Sequence, residues 1–194
     1  MKPINVLPLI LLNLITTSAS SQQEKGYAPV NGLKLYYEIH GEGKPILLFH
    51  GSYMSIEGWG HFLPQLAKTR KVIAVEMQGH GHTADIDRPF SYTSMADDAA
   101  QLLKYLKIEK VDILGYSFGG TIALEFGIKH PELTDKIVVI SSVFKHEGWS
   151  ADVRSALKSI TPDFLDNTPM KAEYDRIAPN PKHWKDFVKK TDQF

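Results

Sequence analysis

The residues with the clearest chemical potential are Gly115-Tyr116-Ser117-Phe118-Gly119, a G-x-S-x-G pentapeptide set between the apolar run Val111 to Leu114 and a helical pattern from Ile122 to Lys129. A strand that reverses sharply into a helix strains the residue at the apex, at a cost of about 1–3 kcal/mol. Close strand–helix contact also leaves no room for side chains at the positions of Gly115 and Gly119. The Ser117 hydroxyl is thereby lifted clear of the sheet, and the N–H of Phe118, in the first turn of the helix, faces the same space with the helix dipole behind it. That setting suits a nucleophile attacking a carbonyl carbon and a donor receiving the oxyanion that forms.

Two other short motifs follow apolar runs in the same way. His50-Gly51-Ser52-Tyr53 comes after Ile46 to Phe49, and Gly79-His80-Gly81 comes after Val72 to Val75. The elements that must position all three alternate between strand and helix patterns. Leu33, Leu35, Tyr37 and Ile39 alternate with Lys34, Tyr36 and Glu38, as in a strand with one face less buried, and the Gly41-Glu42-Gly43 turn predicts a hairpin with Ile46 to Phe49. The runs Val72 to Val75 and Ile137 to Ile140 are continuously apolar, and Val111 to Leu114 is apolar but for Asp112, as expected of strands covered on both faces. Met95, Ala99, Leu102, Leu103 and Leu106 form one helical stripe, with Ser94 and Asp97 spaced as a capping box. The fold class is therefore α/β, a mostly parallel sheet flanked by helices on both faces. Beyond Ser142, short amphipathic helices are expected over Ala151 to Ile160, Thr168 to Ile177 and His183 to Lys190, separated by prolines.

The elbow at Gly115 to Gly119, the His50-Gly51-Ser52 loop and the Gly79-His80-Gly81 loop together resemble the α/β-hydrolase superfamily, in its esterase, lactonase and cofactor-free haloperoxidase-like branch, over Gly32 to Ser142. The resemblance implies the first six strands of that fold plus the start of a helical cap. It implies that Ser117 attacks a small-molecule ester or lactone, that the N–H groups of Phe118 and Ser52 hold the oxyanion, and that no cofactor takes part. His50 is expected to brace its loop through its ring nitrogens. The pocket would be walled by the substrate-binding residues Tyr53, Tyr116 and Trp149, with Phe118 and Phe144. Serine at the elbow argues against the epoxide hydrolase and haloalkane dehalogenase branches. In this family the acid and histidine follow the seventh and eighth strands, so the chain is expected to be an N-terminal portion with impaired catalysis. A ligand-binding module that has lost catalysis, or perhydrolase or haloperoxidase-type chemistry, are the alternatives.

Other readings of the same residues fit less well. Gly115 to Gly120 has the gap of a phosphate loop, but Thr121 stands where lysine is required. Gly79, Gly81 and Ala84 match a dinucleotide fingerprint, yet Pro89 intervenes before the next helix. His80, His82 and Asp85 hint at a metal site but lack the further histidine at Ile86 that such a site needs. His130 reads as a helix end, and His40, His61, His146 and His183 as surface groups.

Composition narrows the remaining classes. The 194 residues carry 22 basic and 22 acidic side chains, giving no long-range field for nucleic acid or anionic lipid. With no cysteine, disulfides, thiolate zinc sites and a thiol nucleophile are excluded. Met1 to Ser21 has a basic start, an apolar core and small residues at its end, the layout of a secretory signal. The domains expected are a signal peptide over 1–20, an α/β core over 27–142 and an incomplete cap over 143–194, in an exported protein, periplasmic or secreted, with no stable membrane association after cleavage. Export predicts that N-terminal sequencing of protein from its native host begins near Ser20 to Gln22; an intact Met1 would refute it. Nothing in the composition sets an oligomeric state.

Overall fold

The computed structural model describes residues 23–192, so the expected signal segment lies outside the described residues. Six strands, β1 (Glu24–Val30), β2 (Leu33–His40), β3 (Lys44–Phe49), β4 (Arg70–Val75), β5 (Val111–Tyr116) and β6 (Thr134–Ile140), form one sheet in the order β1-β2-β4-β3-β5-β6. Pairing is antiparallel for β1·β2 and β2·β4 and parallel for the rest.

The expected hairpin between β2 and β3 is not formed. β2 instead pairs with β1 through the two-residue turn Asn31-Gly32, whose φ values of 46° and 84° are those of a tight hairpin turn. β3 passes over to lie between β4 and β5. Gly41 makes this crossing possible: at φ 69° it tucks beneath the link into β4, where a Cβ would sit 2.6 Å from the Arg70 carbonyl oxygen. Burial gives the reason for the choice. Ile46, Leu47, Leu48 and Phe49 are all 5% exposed or less, and only a central strand hides both faces.

Helices cover both faces. α2 (Tyr92–Tyr105) and α3 (Phe118–Lys129) pack Met95, Ala99, Leu102, Leu103, Ile122, Ala123 and Phe126 onto one side. The other side takes Ile56, from a short 3-10 turn over Ile56–Trp59, and Leu63 of α1 (Phe62–Leu66) against Ile46, Leu48, Val72 and Ala74. Each buried Val, Leu, Ile, Phe or Met among these contributes about 1.5–3 kcal/mol. The cap of α2 differs from the expected box: Ser91, not Ser94, is the N-cap residue, and its hydroxyl accepts from the Ser94 N–H at 3.0 Å. His40 is not a free surface group, since its Nε2 lies 2.7 Å from Glu38.

Past β6 come α4 (Ala151–Lys158), α5 (Pro162–Leu165), α6 (Pro169–Ile177) and α7 (Trp184–Thr191). Ser150, Thr161 and Thr168 cap α4, α5 and α6, with proline in the first turn of the latter two. Leu165, Tyr174, Trp184, Phe187 and Val188 form a third apolar cluster joining these helices. β6 departs from the expected two-sided burial, with Val138 and Ile140 exposed, because among the described residues it is an edge strand.

Candidate active site

Ser117 sits at the junction of β5 and α3 with φ 52° and ψ −120°, a backbone conformation rarely adopted by any residue but glycine. Two hydrogen bonds hold the strain in place: the Ser117 N–H donates to the Ile140 carbonyl at 2.8 Å, and the Gly120 N–H donates to the Ser117 carbonyl at 2.8 Å. The helix begins at Phe118, four residues before the start of its apolar pattern, so the serine stands directly at the helix N-terminus. The two glycines are there for space. A Cβ on Gly115 would lie 2.6 Å from the Gly119 carbonyl carbon, and one on Gly119 would lie 2.5 Å from the Phe49 carbonyl carbon.

The loop after β3 reaches the elbow. A Cβ on Gly51 would come within 3.1 Å of the Tyr116 ring and 3.0 Å of the Met54 sulfur, so this loop lies against the residue preceding Ser117. The Gly51 carbonyl accepts from the Met54 N–H at 3.3 Å and from His50 Nδ1 at 2.8 Å. A trans peptide is planar, so its C=O and N–H point in opposite directions. Fixing the Gly51 carbonyl therefore fixes the direction of the Ser52 N–H.

The loop after β4 closes the arrangement from the side. His80 is 1% exposed, donates from Nδ1 to the Gln78 carbonyl at 3.0 Å, and lies 5.2 Å from the His50 ring, 5.7 Å from Phe118 in a stack and 4.8 Å from Phe187 edge-on. Burial pushes the His50 imidazole down to about 4 and His80 to about 3, the latter helped by repulsion from His50, so both rings are neutral near pH 7. His82 faces elsewhere, tilted against the Tyr36 ring at 4.4 Å with Nδ1 3.0 Å from Glu76. The buried Glu76 carboxylate also accepts the Ile56 and His82 N–H groups, and burial is the largest influence on it, raising its pKa. Asp85 is tied to Gln78 at 2.7 Å and Lys190 at 2.6 Å. The three residues of the metal hint thus serve three different neighbourhoods.

The expected pocket wall is only partly assembled. Tyr116 is exposed beside the elbow, and Tyr53, at φ 61°, packs edge-on to Phe187 at 5.7 Å and Trp184 at 6.3 Å. Phe118 departs from expectation: its side chain is buried against His80 and Tyr92, leaving only its backbone toward the elbow. Phe144 is 70% exposed, and Trp149 is half-buried with its carbonyl accepting from Arg154. Sequence reasoning missed Tyr174, Trp184 and Phe187, which bring the cap to the loops. For Trp184 and Phe187 the signal was the α7 spacing Trp184, Phe187, Val188, Thr191, one buried face of an otherwise polar helix. Among the described residues, no histidine or carboxylate side chain hydrogen-bonds the Ser117 hydroxyl.

Comparison with known proteins agrees with this geometry. Residues 44–193 match the family described as alpha/beta hydrolase fold. The chain is 36% identical over 115 residues to 2-hydroxymuconate semialdehyde hydrolase of a Pseudomonas species, covering 57% of this chain and 41% of that protein. It is 29% identical over 116 residues to soluble epoxide hydrolase of a Corynebacterium species, covering 60% of this chain and 41% of that protein. The chain thus spans about two-fifths of the length of either relative. Among solved structures, 2-hydroxy-6-oxo-6-phenylhexa-2,4-dienoate hydrolase of a Rhodococcus species superposes with a TM-score of 0.71 at 19% identity, covering 90% of this chain and 72% of that one, a likeness of fold. With the match across residues 44–193 added to the six-stranded sheet and its helices, the chain belongs to the α/β-hydrolase fold family.

Proposed function

We propose that the protein is a serine hydrolase acting on small carboxylic esters or lactones. The observation that carries this reading is Ser117 at φ 52°, held between β5 and α3 with the Gly51-Ser52 loop against Tyr116. In this mechanism the Ser117 oxygen attacks the carbonyl carbon, and the N–H groups of Phe118 and Ser52 receive the oxyanion. The carbon–oxygen bond to the alcohol breaks, the alcohol leaves with a proton, and water then releases the acid from the acyl-serine. Pinning of the Gly51 carbonyl by His50 supports the role of Ser52, since it orients that N–H without using any part of the reacting centre. Opening an epoxide through a covalent ester would need a carboxylate at the elbow, and Ser117 is not one. Similarity to 2-hydroxymuconate semialdehyde hydrolase favours a second reading, attack by the same serine on an aldehyde or ketone carbonyl with cleavage of the adjoining carbon–carbon bond.

Proton transfer from Ser117 needs a base, and among the described residues no histidine or carboxylate side chain hydrogen-bonds its hydroxyl. A chain relying on oxyanion donors and binding alone keeps only a small residue of triad catalysis, about 10³–10⁴-fold over water. The 194-residue chain is therefore expected to react slowly with a fluorophosphonate probe, at Ser117, and to turn over p-nitrophenyl acetate barely above background. Labelling that persists undiminished in Ser117→Ala would overturn the assignment of the nucleophile. Robust turnover that Ser117→Ala abolishes would keep the nucleophile and show that the chain supplies its own base.

A further inference from the structure

We propose that Glu173, on α6 of the cap, is a positioning residue for the oxyanion donor Ser52, acting through its hydrogen bond with Ser55 at the far end of the same loop. The inference rests on the serine hydrolase reading above and adds to it a residue from outside the three loops.

The Ser52 N–H belongs to a β-turn. The Met54 N–H donates to the Gly51 carbonyl at 3.3 Å, so residues Gly51 to Met54 form one turn with Ser52 and Tyr53 at its centre. Tyr53 has φ 61°, the sign that a type II turn demands at its third position and that a bulky side chain adopts only under constraint. The turn bond and the 2.8 Å contact from His50 both end on the Gly51 carbonyl, which shares a rigid plane with the Ser52 N–H. Movement of Met54 therefore re-aims the donor.

Two contacts from the cap hold this turn. The Tyr53 ring packs edge-on to Trp184 and Phe187 of α7. Next to Met54, the Ser55 hydroxyl donates to Oε1 of Glu173 and accepts from the Glu57 N–H at 3.1 Å, as the N-cap of the 3-10 turn that follows. Glu173 itself stands on a firm base, because the adjacent Tyr174 stacks on Phe187 at 5.0 Å and lies 5.1 Å from Trp184. Without Glu173, the Ser55 hydroxyl, 1% exposed, would be a buried donor lacking its acceptor, a costly state that the loop relieves by shifting. The core holds the residue beyond, where the Ile56 N–H donates to Glu76 at 3.1 Å, so the shift passes to the Met54 side. Arg176 of α6 also pairs with Glu57 of this segment, but both side chains are more than half exposed and such a pair contributes little.

The test compares Glu173→Ala, Glu173→Gln and Arg176→Ala with the unaltered chain. It reads hydrogen exchange at the Met54 amide of the free protein and the rate at which a fluorophosphonate labels Ser117. Losing an oxyanion donor outright slows acyl transfer by about 10²–10³-fold, and misaiming one costs less, so Glu173→Ala should label about tenfold more slowly, with faster exchange at Met54. Glu173→Gln keeps an acceptor for the Ser55 hydroxyl and should restore both readings, and Arg176→Ala should change neither. Unchanged exchange and labelling in folded Glu173→Ala would overturn the proposal, as would equal changes in Arg176→Ala, the mark of a general loosening of α6. If Glu173→Ala does not fold, Ser55→Ala breaks the same bond from the loop side. Slower labelling of that folded variant supports the proposal, and an unchanged rate refutes it. No labelling of the unaltered chain at Ser117 would overturn the hydrolase reading instead, and Met54 exchange would then still decide whether Glu173 holds the turn.

Discussion

Gly119→Ala is expected to destabilise the fold by more than about 4 kcal/mol at 25 °C, although alanine is the better helix former by about 1 kcal/mol. The added Cβ would lie 2.5 Å from the Phe49 carbonyl carbon and inside contact distance of the Phe49 and His50 carbonyl oxygens. Those atoms are backbone, and they belong to the end of β3, which is bonded to β4 on one side and β5 on the other. Relief would require moving α3 off the sheet, and α3 carries Ile122, Ala123 and Phe126 of the main core. A cost above about 4 kcal/mol follows, the range reached only by severe steric or core defects. Total stability for a domain of this kind is about 5–15 kcal/mol. Urea unfolding followed by circular dichroism measures it, with Gly26→Ala as the control. There a Cβ meets only the Tyr37 hydroxyl at 3.4 Å, an ordinary contact on the edge strand β1, and the change should stay within about 1 kcal/mol. Equal urea midpoints for Gly119→Ala and the unaltered chain would show that the helix does not pack on β3 as described.

The second large effect is loss of stability in mild acid. His50 and His80 have folded pKa values near 4 and 3, below the ordinary 6.5 of an unfolded chain, chiefly because burial penalises the charged ring. The unfolded state therefore binds protons first as pH falls. The stabilisation is fully present above about pH 6.5 and is lost as pH drops toward the folded values. Near pH 4.5 each histidine would have given up about 2–3 kcal/mol. Glu76 opposes this, since its folded pKa is raised and protonation in acid relieves its burial cost, but it is one group against two. Urea stability is expected to fall by several kcal/mol between pH 7 and pH 4.5, a large share of the total. A flat profile across that interval would mean that the two rings are not buried as a neutral pair.

Both effects arise where the three loops at the carboxyl ends of β3, β4 and β5 meet, and these loops were legible to different degrees. The elbow could be read directly because its determinants are local. A glycine two residues before and two after Ser117 is needed wherever a strand turns at once into a helix, whatever surrounds it. The parallel strands β4 and β5 were legible for a similar reason, since apolar or nearly apolar runs bury two faces, whereas β3 reads from its turn as the hairpin partner of β2 and only its burial made it a central parallel strand. The last run, Ile137 to Ile140, shows the limit of that rule: its composition matches the others, but its exposure was decided by its place at the sheet edge.

What the amino-acid order by itself determined was the set of short motifs, the class of fold and the serine as candidate nucleophile, because each rests on spacing within a few residues. Only the tertiary structure decided that β2 pairs with β1 and β4 rather than β3, and that Phe118 turns its ring inward. It alone separated His80 from His82, two residues apart, sending one into an apolar enclosure with His50 and Phe187 and the other onto Tyr36 and Glu76. Strand order and side-chain enclosure are set by contacts between segments far apart in the chain, where competing burial is resolved for the whole molecule at once, and no local spacing records that outcome.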